Sequence, residues 1–138
     1  MAELKTRATD DDVQAFLDGI ADAGRRADAR TVTDLLGRLT GEAPVMWGKG
    51  IVGFGRRVLR YPNGREIDWM VIGFAPRKAG TTVYLAGEME SYSSLLGRLG
   101  RHTVSGGCLH LKRLDDVDHA VLEQILERSI DTAQPPST

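Results

Sequence analysis

The tetrapeptide Tyr61-Pro62-Asn63-Gly64 constrains the middle of this chain more than any other feature. Proline presets φ at the first central position of a turn, and glycine accepts the left-handed backbone that closes it. The runs on either side, 56–61 and 66–75, are rich in aromatic, β-branched and long aliphatic residues. Together they predict a β-hairpin. Alternation along 66–75 sends Ile67, Trp69 and Val71 to one face and Met70, Ile72 and Phe74 to the other. A strand apolar on both faces belongs inside a sheet with material packed on each side. Pro76-Arg77-Lys78-Ala79-Gly80 reads as the next turn, and 81–86 as the third strand of a meander.

The flanking thirds carry helical periodicity. Thr9 with Asp12 resembles a capping box, with Asp in place of Glu. Val13, Phe16, Leu17 and Ile20 then share one helical face, and Gly24 reads as the end or interruption of that helix. Val32, Leu35, Leu36 and Leu39 form the stripe of a second helix that Gly41 stops. Beyond the meander, 91–99 reads as a short helix carrying Leu95, Leu96 and Leu99. A Ser105-Gly106-Gly107 loop leads to a strand over 108–112. There Leu109 and Leu111 face inward, while Cys108 and His110 share the other face. A last helix starts near Asp115 or Asp116 and buries Val117, Val121, Leu122, Ile125 and Ile130.

The expected order is α-α-β-β-β-α-β-α, with room for an extra short strand at 51–54. Helices at both ends and strands between them argue for an α+β fold: an antiparallel, curved sheet with helices packed on it, not a doubly wound parallel sheet. The 138 residues suit one domain. The expected organisation is a flexible start over 1–8, the domain over 9–131, and a flexible tail over 132–138 that contains Pro135 and Pro136.

Hydrophobic residues make up 41% and charged residues 27% of the chain, as in ordinary globular domains. The net charge of −1 offers no global field for nucleic acid or an anionic membrane surface. No apolar stretch is long enough to span a bilayer, and the polar, acidic N-terminal residues lack a secretory apolar run. The single cysteine, Cys108, suits a reducing compartment. A soluble, cytoplasmic protein is the expectation.

Motifs for chemistry are sparse. Gly48-Lys49-Gly50-Ile51-Val52-Gly53 matches the dinucleotide fingerprint in letters only. The fingerprint needs a strand before it and a helix after it, whereas Glu42-Ala43-Pro44 precedes and a β-like run follows. These glycines read instead as turns, bulges or close backbone packing. No Walker loop and no nucleophile elbow is present. Ser105 before two glycines, with His102 three residues earlier, is a loop composition more than a catalytic unit.

An ordered set of segments resembles the YdhG-like family, also called domain of unknown function 1801. It runs Met46-Trp47-Gly48, Ile51-Val52-Gly53-Phe54-Gly55, Tyr61, Gly64-Arg65-Glu66 and Trp69. It continues through Ile72-Gly73-Phe74-Ala75-Pro76-Arg77-Lys78 and Thr82-Val83-Tyr84-Leu85. It closes with Leu99-Gly100-Arg101-His102, Gly106-Gly107-Cys108-Leu109 and Lys112-Arg113-Leu114-Asp115-Asp116-Val117-Asp118. The resemblance covers about 41–126 and implies a compact α+β fold. Some relatives are described as frataxin-like iron chaperones, so iron is the metal that the resemblance suggests. It assigns no ligand set to named positions, and fold alone does not transfer a role.

Hard-metal binding prefers carboxylates. Glu66 and Asp68 share a strand face and are the metal candidates, with Glu88 and Glu90 after the third strand too thinly spread to form a site. Cys108, His110 and His102 lack paired metal-ligand spacing. The better candidate is a cleft. Met46, Trp47, Phe54, Trp69 and Phe74 supply apolar area, and Lys49, Arg77, Lys78 and Arg101 sit in neighbouring glycine-rich turns. The candidate ligand-binding set is Trp47, Lys49, Phe54, Trp69, Arg77, Lys78 and Arg101. The competing reading makes the aromatics core residues and the cations solvated loop residues.

Three functions follow. The first is a non-enzymatic binding or carrier protein for a small molecule or a metal ion. The second is an enzyme acting on a small anionic substrate in a Trp47/Arg77 cleft. The third is an interaction module, such as a homodimer, that uses the N-terminal helices.

Overall fold

The computed structural model describes residues 8–133. The first helix, α1 (Val13–Asp18), is capped by the Asp12 carboxylate, which accepts from the Gln14 and Ala15 amides. Thr9 is therefore not the cap; its hydroxyl accepts from Asp11 N, and its own amide donates to the Met46 carbonyl. Gly19, not Gly24, ends α1. Asp22 caps α2 (Ala23–Thr40), so Gly24 lies inside the first turn of that helix. Gly41 closes α2 in the left-handed conformation, as its position after the apolar stripe predicts.

Eight strands follow in two sheets among the described residues. They are β1 (Pro44–Trp47), β2 (Ile51–Phe54), β3 (Arg57–Arg60), β4 (Glu66–Trp69), β5 (Ile72–Arg77), β6 (Gly80–Tyr84), β7 (Thr103–Ser105) and β8 (Cys108–Leu111). The main sheet has the order β1-β2-β5-β6-β8-β7, and its neighbours are all antiparallel. A short 3₁₀ turn (Met89–Tyr92) runs into α3 (Ser93–Leu99) between β6 and β7. A second 3₁₀ turn (Leu114–Asp116) precedes α4 (His119–Ala133). Asp118, not Asp115 or Asp116, caps α4, accepting from the Ala120 and Val121 amides. The mixed α+β class and the antiparallel sheet with helices at both ends are as expected. The two short edge strands, β1 and β7, were not legible, and the segment 66–75 is not one strand.

That break has a physical cause. The Tyr61–Gly64 turn forms as read, with Gly64 N donating to Tyr61 O and Asn63 Oδ1 accepting from Arg65 N. It joins β3 to β4 in a separate two-stranded ribbon. After Trp69 the chain bends, Val71 N donates to Phe54 O, and β5 enters the main sheet. Arg57 Nε donates to the Met70 carbonyl and ties the ribbon to this bend. Burial lowers the Arg57 guanidinium pKa from its usual value.

The main core lies on one face of the sheet. Phe54, Phe74, Val83, Leu109 and Leu111 meet Val32 and Leu36 of α2 and Leu122 and Ile125 of α4 there. Each such side chain contributes about 1.5–3 kcal/mol on burial. Asp28 of α2 is buried and accepts from Arg113 Nε at 2.8 Å and from the Leu114 amide at 3.2 Å. The Arg113 guanidinium lies where a Cβ of Gly24 would come within 2.9 Å. No helix of the described residues is long and apolar enough to cross a membrane. Of the two segments expected to be flexible, Ala8 bridges to Trp47 and α4 runs through Thr132 and Ala133; 1–7 and 134–138 lie outside the described residues.

Candidate functional site

Directly opposed residues of an antiparallel ladder point to the same side of the sheet. The register therefore fixes what the face away from the helices carries. One row runs across all six strands as Val45, Gly53, Gly73, Tyr84, Cys108 and Ser105. The next row contains Ala75, Thr82, His110 and Thr103. Arg77 opposes Gly80 one step further along.

The β3–β4 ribbon covers the β1–β2–β5 half of this face. The Trp69 ring lies 5.7 Å from Trp47, edge to face, and 6.5 Å from Tyr84 in the same geometry. Met70 Sδ fills the space beside Gly53 and Gly73. The β6–β8–β7 half stays open, and there a cavity of about 620 Å³ lies within reach of solvent. Small-molecule sites typically span roughly 300–1,000 Å³.

Arg77, Arg101 and Lys112 line this cavity, with Tyr84, His110 and Cys108 on its floor. Among the described residues no aspartate or glutamate lines it. Among the described residues none of these three cations has a carboxylate partner, whereas Arg25, Arg30, Arg38, Arg60 and Arg113 all do. Arg77 Nη2 donates to the Tyr84 hydroxyl at 3.1 Å. Arg25 holds the strand end from below through the Arg77 carbonyl. The His110 ring spans two hydroxyls, with Nε2 2.7 Å from Ser105 Oγ and Nδ1 3.1 Å from Thr82 Oγ1. Burial pushes the Cys108 thiol up, and the nearby Arg77 guanidinium opposes this to a smaller degree. The thiol is thus protonated near neutral pH, which makes it a poor nucleophile.

The residues singled out from sequence divide. Trp47, Trp69 and Arg77 are joined at one end of the sheet through Tyr84, which was not singled out. The turns at 48–50 and 78–79 flank neighbouring ends of β2 and β5, as expected. Arg101 lines the same cavity as Arg77. Trp47 is buried beneath the ribbon and stacks under Arg56, so it supports the wall instead of lining it. Phe54 points to the other face and belongs to the helix-side core. Lys49 and Lys78 are exposed in their turns and do not line the cavity.

Glu66 and Asp68 are exposed on the ribbon, and Glu66 is paired with Arg60 at 2.8 Å. Among the described residues no group of three or more His, Cys, Asp or Glu side chains is placed to hold a metal ion. Cys108 and His110 share a face as read. His102 bonds the Gly100 carbonyl through Nδ1, and Ser105 meets His110, not His102.

Sequence reasoning missed Tyr84, Thr82 and Lys112. The alternation of Thr82 and Tyr84 along one strand was a usable signal for a shared face. Nothing local could place that face opposite Cys108 and His110. No protein-family model, curated protein or solved structure matches this chain.

Proposed function

We propose that this chain is a small-molecule binding protein, acting as a carrier, whose ligand is an organic anion held on the open half of the sheet. The carrying observation is the lining of the cavity: Arg77, Arg101 and Lys112 without a carboxylate among them, beside the aromatic wall of Tyr84. Arg77, Arg101 and Lys112 are exposed and have no carboxylate partner among the described residues, so their charge is available to an incoming anion. The guanidinium of Arg77 can hold a carboxylate or phosphate through two parallel hydrogen bonds. The Tyr84 ring, backed edge-on by Trp69, offers an apolar surface to the rest of the ligand.

The same reading keeps the chain within the YdhG-like family, on the ordered residues quoted above. The iron-carrier version of that reading draws on the resemblance alone, since Glu66 already has Arg60 as a partner.

Isothermal titration with benzoate, and separately with inorganic phosphate, tests the proposal. Binding of either should weaken as salt is raised. Arg77→Lys should weaken it despite the retained charge, about tenfold for the loss of one charged hydrogen bond. Arg101→Ala should weaken it further. Benzoate and phosphate binding that is absent, or unchanged in both variants, overturns the proposal. Saturable ferrous binding lost in Glu66→Ala/Asp68→Ala would favour the metal carrier instead.

A further inference from the structure

We propose that Ser105 and His110 form an acyl-transfer pair that acts on small carboxylic esters, with Ser105 as nucleophile and His110 as its base. This goes beyond anion binding and rests on a separate set of contacts. Ser105 and Cys108 oppose each other at the end of the β7–β8 hairpin, across the Gly106-Gly107 turn. The tightness of that turn brings Ser105 diagonally over His110, whose Nε2 is 2.7 Å from the serine oxygen. The other ring nitrogen, Nδ1, meets Thr82 Oγ1 at 3.1 Å. A nucleophile, a base within hydrogen-bond reach and a third group orienting the base are the parts that activated serines share.

Exposure is graded along this line. Ser105 is exposed, His110 is half-buried on the cavity floor, and Thr82 is buried at 7%. The nucleophile is therefore open to substrate while the orienting hydroxyl is held by the sheet. With Ser105 donating to Nε2, the remaining ring proton sits on Nδ1 and donates to Thr82. His110 and Thr82 line the cavity together with Arg77 and Arg101, whose charge gives that side of the pair positive potential.

The chemistry balances with an ester and water. Ser105 Oγ bonds to the acyl carbon as its proton passes to His110 Nε2. The ester C–O bond breaks, and the leaving alkoxide takes that proton. Water then attacks the acyl-serine, loses a proton to Nε2, and Ser105 departs with it. Threonine orients the base without the negative charge of an aspartate, so turnover should be slow and the acyl-serine should accumulate.

The test uses the full chain and p-nitrophenyl acetate, a neutral ester. Release of p-nitrophenol should show a burst, with one acetyl group mapped to Ser105 by intact-protein and peptide mass spectrometry. Ser105→Ala and His110→Asn should each slow the burst by about a hundredfold or more. Both are compared in a Cys108→Ala background, so that thiol acetylation is not counted. Thr82→Val should slow acylation and Thr82→Ser should restore it, which a merely structural role for the residue would not produce. Acetyl found elsewhere than Ser105, no acetylation, or an unchanged burst in Ser105→Ala overturns the pair. Benzoate binding that survives in Ser105→Ala separates this proposal from that of the anion site.

Discussion

The indole of Trp47 occupies the space where a side chain on Gly53 would be. A Cβ built on Gly53 lies 2.4 Å from Trp47 Cδ1 and 2.6 Å from Nε1, far inside contact distance. Met70 Sδ closes the same space from above at 2.9 Å. The glycine in the apparent nucleotide fingerprint is thus a packing glycine, and the ribbon over the outer face depends on it.

Gly53→Ala should therefore destabilise the protein by about 1–3 kcal/mol, the usual cost of overpacking. Denaturant titration measures it, and near-UV circular dichroism should report a changed Trp47 environment. Gly50→Ala is the control, because nothing lies within 4 Å of a Cβ there. An equal loss in both variants would place the effect elsewhere than in the Trp47 contact.

The turn glycine makes a different prediction. Gly64 has φ of +85° and open space around its missing side chain. Only the backbone conformation resists substitution there. Gly64→Val should lower stability by about 1–2 kcal/mol, while Gly64→Asn costs less because asparagine tolerates the left-handed region. Melting midpoints of the two variants, compared with wild type, decide it.

Asp28 joins α2 to the turn before α4. Asp28→Ala strands the buried Leu114 amide, which costs about 1–3 kcal/mol. Asp28→Asn keeps an acceptor and should retain most of the stability. A urea titration in which both variants behave alike would show that charge on Asp28 decides the effect, not the hydrogen bond to Leu114.

Cys108 gives the pH dependence. Burial raises its thiol pKa in the folded state above that of the unfolded chain. The protonated form is then favoured by folding. Its stabilising contribution is fully present below the unfolded-chain value and is lost as pH rises through the folded value. Iodoacetamide should accordingly label Cys108 in the native protein more slowly than in urea at mildly alkaline pH. Arg77→Ala should slow native labelling further, because the guanidinium opposes the upward shift. Native labelling as fast as in urea would contradict the assigned burial.

What could be read ahead of the structure was local. The Tyr61-Pro62-Asn63-Gly64 turn, the Gly41 stop and the apolar stripes of α2 and α4 each depend on a few adjacent residues and their own backbone preferences. The misreadings were local competitions between similar signals: Asp12 against Thr9, Asp118 against Asp116, Gly19 against Gly24. In each, several residues could close the same helix end, and the packing of that helix chose one.

The candidate site was half legible for a related reason. Arg77 and Arg101 stood out as cations in glycine-rich turns, and Trp47 and Trp69 as large apolar side chains. Phe54 and Trp47 read alike from sequence, yet they sit on opposite faces of the sheet.

The α+β class, the Tyr61–Gly64 hairpin turn and the helical stripes followed from local residues, because hydrogen-bonding and steric preferences act within a few residues, whereas the expected three-strand meander did not form as one sheet. Long-range packing set the meeting of Ser105 with His110, the place of Thr82 behind it, and the cavity that Arg77 and Arg101 share. Those pairings depend on strand register across β5, β6, β8 and β7, which is set by how the inner faces interlock with α2 and α4. A slip of one residue would keep every local preference and send each of these side chains to the other face.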